Sequence, residues 1–300
     1  MHPVKWLPAL VLLLVSTPAF AHGGPTGHTG WSFEPSAVAP LALSGGLYLS
    51  GTLRLWRRAG IGRGIHAWQA VCFWTGWAIL ALALLSPLSP LSEHLFVAHM
   101  IEHEVMVTIA APLLVVSRPI GAFLWAFPLS WRQALGRFGH LAVTRACWLF
   151  LTGAAVATIL HGMVLWVWHV PALFTAALAS LPLHWLQHLA FFVTALLFWQ
   201  SLMAARSRQG GDGPALFWLF VTILHTGFLG ILLALSPSPW IPRQTDLAAG
   251  FGLTPLEDQQ LAGLVMWVPG GLIYTGVALA LAARWIRSAG ERARRSQLHA

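Results

Sequence analysis

Seven long apolar stretches, each of about 20 residues, recur along this 300-residue chain. A helix of about 20 apolar residues is long enough to cross a hydrocarbon core of roughly 30 Å. The stretches lie at residues 38–55, 68–88, 94–116, 147–168, 184–203, 215–235 and 261–285. They predict an all-α polytopic membrane protein, a bundle of seven transmembrane helices.

The composition supports a membrane protein and excludes a soluble one. Hydrophobic residues make up 57% of the chain and charged residues 9%. A soluble domain usually has about 25% charged residues, far more than this chain. Fibrous, disordered and disulfide-built classes are excluded on the same grounds, since only two cysteines are present.

The first 21 residues have the layout of a secretory signal peptide. Lys5 precedes an apolar run at 7–15, and a small-residue ending, Ala-Phe-Ala, occupies 19–21. We predict cleavage after this segment, with an uncleaved anchor helix as the alternative. Three further parts follow in the predicted organisation: an extracytoplasmic Gly/His-rich tail (22–37), the transmembrane domain (38–285) and a basic cytoplasmic tail (286–300).

The positions of the basic residues predict the orientation. Fifteen of the 17 Lys and Arg residues lie after the first, third, fifth and seventh stretches, in four groups at 54–63, 118–145, 206–208 and 284–295. Positive residues are retained in the cytoplasm, so the N-terminus is expected outside and the C-terminus inside a bacterial-type plasma (inner) membrane. The net charge of +8 therefore indicates topology and contact with the lipid bilayer, and no nucleic-acid partner is predicted.

Histidines are concentrated in the predicted outer half of the membrane. Two pairs, His99 with His103 and His184 with His188, have a spacing that places both rings of each pair on one helical face. Ionisable residues inside a membrane are costly and are usually functional. The predicted metal ligands are His99, Glu102, His103, Met106, His161, His169, His184, His188 and His225.

Copper is the predicted metal, and haem is kept as an alternative. Imidazole binds copper, zinc, iron or nickel, whereas thioether sulfur selects copper(I). Cys72 and Cys147 fall near predicted cytoplasmic ends, so an outer site has to use His, Met and carboxylate. Other roles stay open: His225 as an interhelical hydrogen-bonding residue, His169 and His184 as interface anchors, and Asp258 as a helix N-cap.

Several strings, in order, resemble the CtaG family of assembly factors for caa-type cytochrome c oxidase. They are HMIEH at 99–103 leading to APLLVVSRP at 111–119, WVWHVPALF at 166–174, HWLQHLAFF at 184–192, DQQLAG at 258–263 and MWVPG at 266–270. The resemblance covers about 68–285. It implies a multi-span plasma-membrane protein that supports maturation of a haem-copper oxidase.

The same resemblance carries the family's histidines onto His99, His103, His169, His184 and His188, and further onto two deeper positions, His161 and His225. This chain departs from the family pattern by having Glu102 in place of Gln and Gln187 in place of Glu. The family pattern and this chain therefore each have one carboxylate and one carboxamide at these two positions.

The leading hypothesis is a membrane assembly factor, a chaperone of copper that acts on cytochrome c oxidase subunits. A haem-binding membrane cytochrome, an ion or metal transporter and a purely structural scaffold are the alternatives. No catalytic site is predicted, because the only string close to a zinc-protease motif, 99–103, has its Glu next to the second His.

Overall fold

The computed structural model describes residues 30–205, 213–241 and 248–298. All regular elements in these ranges are helical, which confirms the predicted all-α class. The predicted signal peptide, 1–21, and residues 22–29 of the following tail lie outside the described residues.

The described α-helices form a bundle in the following order. They are α1 (Pro35–Ala59), α2 (Ala67–Leu85), α3 (Leu88–Ser92), α4 (Phe96–Val116), α5 (Ile120–Ala126), α6 (Leu129–His140), α7 (Ala142–Leu151), α8 (Ala154–Trp168), α9 (Pro171–Ala179), α10 (Leu181–Ala205), α11 (Gly213–Ala234) and α12 (Pro255–Leu298). A short 3-10 helix, Ala248–Phe251, precedes α12.

Within the described ranges, five helices are long and apolar enough to cross a membrane: α2, α4, α10, α11 and α12. The pair α7 and α8, bent by 63° at its break, makes a sixth if it is counted as one span. The first predicted stretch, 38–55, lies within α1, where serines, a threonine and arginines reduce the apolar character. The seventh span and the orientation therefore stay predictions.

Helix α4 changes its hydrogen-bond register midway, over the π-helical segment Val105–Ala110. The backbone N–H of Ala111 donates to the Met106 carbonyl, five residues earlier. In that register the Val107 carbonyl would accept a hydrogen bond from the backbone N–H of residue 112. Residue 112 is a proline, which has no backbone N–H. The indole Nε1 of Trp199, on α10, donates to this carbonyl at 2.8 Å instead. This hydrogen bond thus links the π-helical segment of α4 to α10.

The start of α12 is attached to the start of α4. Both carboxylate oxygens of Asp258 accept hydrogen bonds from α4, from the backbone N–H groups of Phe96 at 2.8 Å and Val97 at 2.9 Å. The prediction that Asp258 is the N-cap of its own helix is wrong: it is the fourth residue of α12 and caps α4 instead. Helix α12 has its own capping box, in which Thr254 and Glu257 bond reciprocally.

Glycines allow α11 and α12 to pack closely. A β-carbon at Gly263 would lie 2.5 Å from the Ala234 nitrogen and 2.6 Å from the Gly230 oxygen. Small residues at such contacts let membrane helices approach backbone to backbone. Helix α12 then continues beyond the predicted membrane stretch, so the tail predicted from residue 286 is helical as far as Leu298.

Candidate metal centre

Two histidine pairs face each other near the starts of α4 and α10. The ring centroids of His99 and His103 are 4.2 Å apart, and those of His184 and His188 are 4.4 Å apart. Between the helices, the His103 and His188 centroids are 4.8 Å apart and the His99 and His184 centroids 5.6 Å apart. The structure thus brings the two sequence-predicted pairs into one group, which we name the four-histidine cluster.

Three of the four histidines are shielded from solvent, and His184 is half-buried. His99 is fully buried, and the exposed fractions of His103 and His188 are 6% and 5%. Within the described residues, neither ring nitrogen of His103 or of His188 has a hydrogen-bond partner. A buried polar atom left without a partner costs about 1–3 kcal/mol. Buried imidazole nitrogens without hydrogen-bond partners, on two facing helices, are typical of a ligand-binding site.

Each pair has a buried polar neighbour immediately before its second histidine. These neighbours are Glu102 on α4 and Gln187 on α10, both 1% exposed. The Glu102 Oε1 atom lies 3.9 Å from Nε2 of His188, which is beyond hydrogen-bonding distance. A carboxylate at this position can orient the imidazole or offset the charge of a cation bound between the helices.

The distances between the four rings are compatible with one shared metal ion. The present orientations of the rings are not. With metal-to-nitrogen distances of about 2.0–2.1 Å, two imidazoles on one tetrahedral ion have ring centroids roughly 5 Å apart. Four of the observed separations, from 4.2 to 5.6 Å, bracket this value, and the His99–His188 separation is longer, at 6.3 Å. Among the described residues, no three His, Cys, Asp or Glu side chains are arranged to hold a metal ion as they stand.

His169, at the end of α8, lies beside the cluster. Its ring centroid is 6.4 Å from that of Phe174 and 6.2 Å from that of Phe191. The same two phenylalanines pack against the cluster, Phe174 on His99 and Phe191 on His103. His169 therefore shares Phe174 and Phe191 as neighbours with the four-histidine cluster, and it lines a small cavity together with His103.

A hydrogen bond fixes the tautomer of His169. Its Nδ1 atom lies 2.7 Å from the Leu165 carbonyl oxygen, which can only accept, so Nδ1 carries the proton. The Nε2 atom then presents a lone pair, and it is buried without a hydrogen-bond partner in the described chain. Histidines that bind metals commonly donate their other N–H to a backbone carbonyl in this way.

The two deeper histidines form a separate pair between α8 and α11. The Nδ1 atom of His161 lies 3.2 Å from the Thr194 hydroxyl. The His225 ring packs against Gly162. A β-carbon added at Gly162 would lie 3.3 Å from Nε2 of His225. His225 thus occupies the space left by Gly162, next to His161 in the chain.

Met106 stays a predicted ligand, and the structure places it in an apolar cluster. Met106 is buried in the apolar core with Ala110, Phe191 and Phe198, within the π-helical segment. The α-helical spacing that relates residues 99 and 106 does not hold across this wider turn. A different methionine, Met100, reaches the polar interior.

The sequence prediction omitted Glu104, a half-buried residue of α4 whose Oε1 atom is buried. Its Oε1 atom has no hydrogen-bond partner in the described chain. A β-carbon at Gly270 of α12 would collide with this oxygen, so the carboxyl group lies directly against that glycine. Its position inside an apolar stretch was the available signal, because carboxylates in membranes are costly and seldom incidental.

Three glycines near His161 and His225 are covered by neighbouring groups. Gly162 lies under the His225 ring, Gly227 under the Trp267 ring, and Gly230 against the backbone of Gly263. These glycines allow close helix packing.

The fold and site define a class: a multi-pass helical membrane protein with a buried, histidine-lined centre. The family model for the cytochrome c oxidase caa3 assembly factor (Caa3_CtaG) matches residues 46–288. The chain belongs to this family, as its motifs indicate. No curated protein and no solved structure was found to match it.

Proposed function

We propose that this protein is a non-catalytic assembly factor that holds copper at the four-histidine cluster and presents it to a subunit of a caa3-type cytochrome c oxidase. The observation that carries the proposal is the juxtaposition of two His-x-x-x-His pairs, with His103 and His188 ring centroids 4.8 Å apart. The protein acts in the bacterial plasma membrane, with the cluster towards the outer face.

The chemistry of the donors supports copper. Neutral imidazole binds copper well, and Glu102, beside the cluster, suits an outer coordination sphere. The two cysteines, Cys72 and Cys147, lie on α2 and α7, outside the two helices that carry the cluster. Imidazole rather than thiolate therefore provides the ligands.

Binding of copper at the cluster is transient in this proposal, because a factor that presents the metal to an oxidase subunit also has to release it.

The experiment is complementation of a strain that lacks its own copy of the gene. We expect His103→Ala and His188→Ala to lose most of the oxidase activity and oxidase-bound copper, and excess copper in the medium to restore part of both. The matched control is His140→Ala, which removes an exposed histidine at the end of α6. Full oxidase activity in the two cluster variants would instead identify a structural scaffold.

A further inference from the structure

A small cavity lies beside the four-histidine cluster, enclosed by α4, α8, α10, α11 and α12. Its volume is about 30 Å³, and its lining includes Met100, His103, Glu104, His169 and Met266. A space of this size accommodates one or two water-sized particles. It is large enough for a single ion and too small for an organic cofactor.

Two thioethers reach this cavity from different helices. Met100 on α4 is 1% exposed and Met266 on α12 is 7% exposed, and both belong to one packed cluster. A buried methionine alone is more often packing than ligand. The second observation here is His169, whose buried Nε2 lone pair has no hydrogen-bond partner in the described chain and which lines the same cavity.

We propose that this cavity is a second copper(I) site, in which Met100, Met266 and Nε2 of His169 bind the ion. Thioether sulfur selects copper(I) over the harder divalent metals, and imidazole completes a soft donor set. The Nδ1–H of His169 is held by the Leu165 carbonyl at 2.7 Å, so the ring already presents the ligating atom. The choice of copper rests on the proposed function.

His103 connects the two sites. Its ring contacts His99 and His188 in the cluster, with centroid separations of 4.2 and 4.8 Å, and it also lines the cavity. An ion held by His103 can exchange a copper–nitrogen bond to the cluster for a copper–sulfur bond to Met100 or Met266. Copper remains in the +1 state throughout, so no oxidant or reductant is required.

Glu104 supplies the charge partner. Its carboxyl group lines the cavity and is held against Gly270. A monovalent cation buried among apolar side chains is unfavourable unless an opposite charge lies close to it. The Glu104 carboxylate, hard and poorly matched to copper(I) as a ligand, instead offsets the charge of the ion.

The test is X-ray absorption spectroscopy of the purified protein loaded with copper(I) alone, at increasing molar ratios. We expect sulfur neighbours in the first coordination shell of wild type. These neighbours should be absent from the double variant Met100→Leu with Met266→Leu. Leucine keeps nearly the same volume, and the thermal unfolding of the variant shows whether the fold is kept.

Two further methionine variants sharpen the result. Met163→Leu removes a thioether that is 58% exposed, and its spectrum should match wild type. Met106→Leu tests the methionine that the sequence predicts as a ligand. Loss of the sulfur signal in Met106→Leu, or its absence from wild type, overturns the proposal.

The outcome separates this site from the proposed function. If wild type lacks sulfur neighbours while His188→Ala still abolishes oxidase copper, the second site is wrong and the proposed function stands. If wild type shows sulfur neighbours and the cluster variants leave oxidase copper unchanged, the cavity binds copper but the assembly role of the cluster is wrong. Wild type that binds no copper(I) contradicts both.

Discussion

Asp258, the fourth residue of α12, accepts a hydrogen bond from the backbone N–H of Phe96, the first residue of α4, at 2.8 Å. Its second carboxylate oxygen accepts from Val97 at 2.9 Å. The helix capped in this way carries His99 one turn later. The position of the cluster therefore depends on a carboxylate about 160 residues further along the chain.

Replacing Asp258 by Ala should destabilise the protein and weaken metal binding together. Loss of a helix cap costs about 0.5–2 kcal/mol, and the buried amides of Phe96 and Val97 would be left without acceptors. Thermal unfolding in detergent and copper content would both be measured. Glu257→Ala is the matched control, because it removes a carboxylate that caps only α12; it should lower the stability slightly and leave copper binding intact. Equal copper loss in both variants would refute the link to α4.

Trp199→Phe should cost about 1–3 kcal/mol, because the Val107 carbonyl would lose its only side-chain donor within the helix pair. Pro112→Ala restores a backbone N–H in α4 and should offset part of this loss. A double-mutant cycle in thermal unfolding would measure the coupling between the two residues. Strictly additive effects would show that the two residues do not share the Val107 carbonyl.

Gly270→Ala should disturb the cavity by displacing Glu104, whose carboxyl oxygen occupies the place of the new β-carbon. Because the carboxyl group is the end of a flexible side chain, it can move aside at little cost in stability, and we expect weaker copper(I) retention as the main effect. The adjacent Gly271 has no atom within 4 Å of an added β-carbon. Gly271→Ala should therefore be neutral or stabilise α12 by up to about 1 kcal/mol. Similar behaviour of the two variants would contradict the placement of Glu104.

The absorption spectrum distinguishes copper from haem. Purified protein from cells that make haem should show no Soret band, because the glycines near His161 and His225 are covered by neighbouring groups. A Soret band that is lost in His161→Ala or His225→Ala would favour the membrane cytochrome instead.

The sequence predicts the histidine pairs well because their four-residue spacing is local. Residues four apart share a helical face in any α-helix, so His99 with His103 and His184 with His188 could be paired without a structure. That α4 and α10 lie side by side depends on tertiary packing. The periodicity contains no information about it.

Two residues show where local reasoning fails. Met106 is two α-helical turns from His99, but Pro112 and the π-helical segment disrupt this relation. Asp258 begins a helix and looks like its cap, yet its hydrogen bonds go to α4 because the starts of the two helices meet. Helix register and contacts between distant segments decided these cases, and neither is encoded in spacing.

The number of spans illustrates a different difficulty. Helix α1 covers the first predicted stretch. Because of its polar residues, it is not among the described helices that are apolar enough to cross a membrane. Buried faces of a bundle tolerate such residues, and hydropathy alone does not distinguish a polar inner helix from one outside the membrane.

Copper content of the purified protein is the most direct test of the four-histidine cluster. We predict that wild type binds more copper(I) than the double variant His99→Ala with His188→Ala, which loses the share held by the cluster and keeps only the share held at the second site. The His140→Ala control should retain the wild-type amount. Equal copper content in wild type and the double variant would contradict the account.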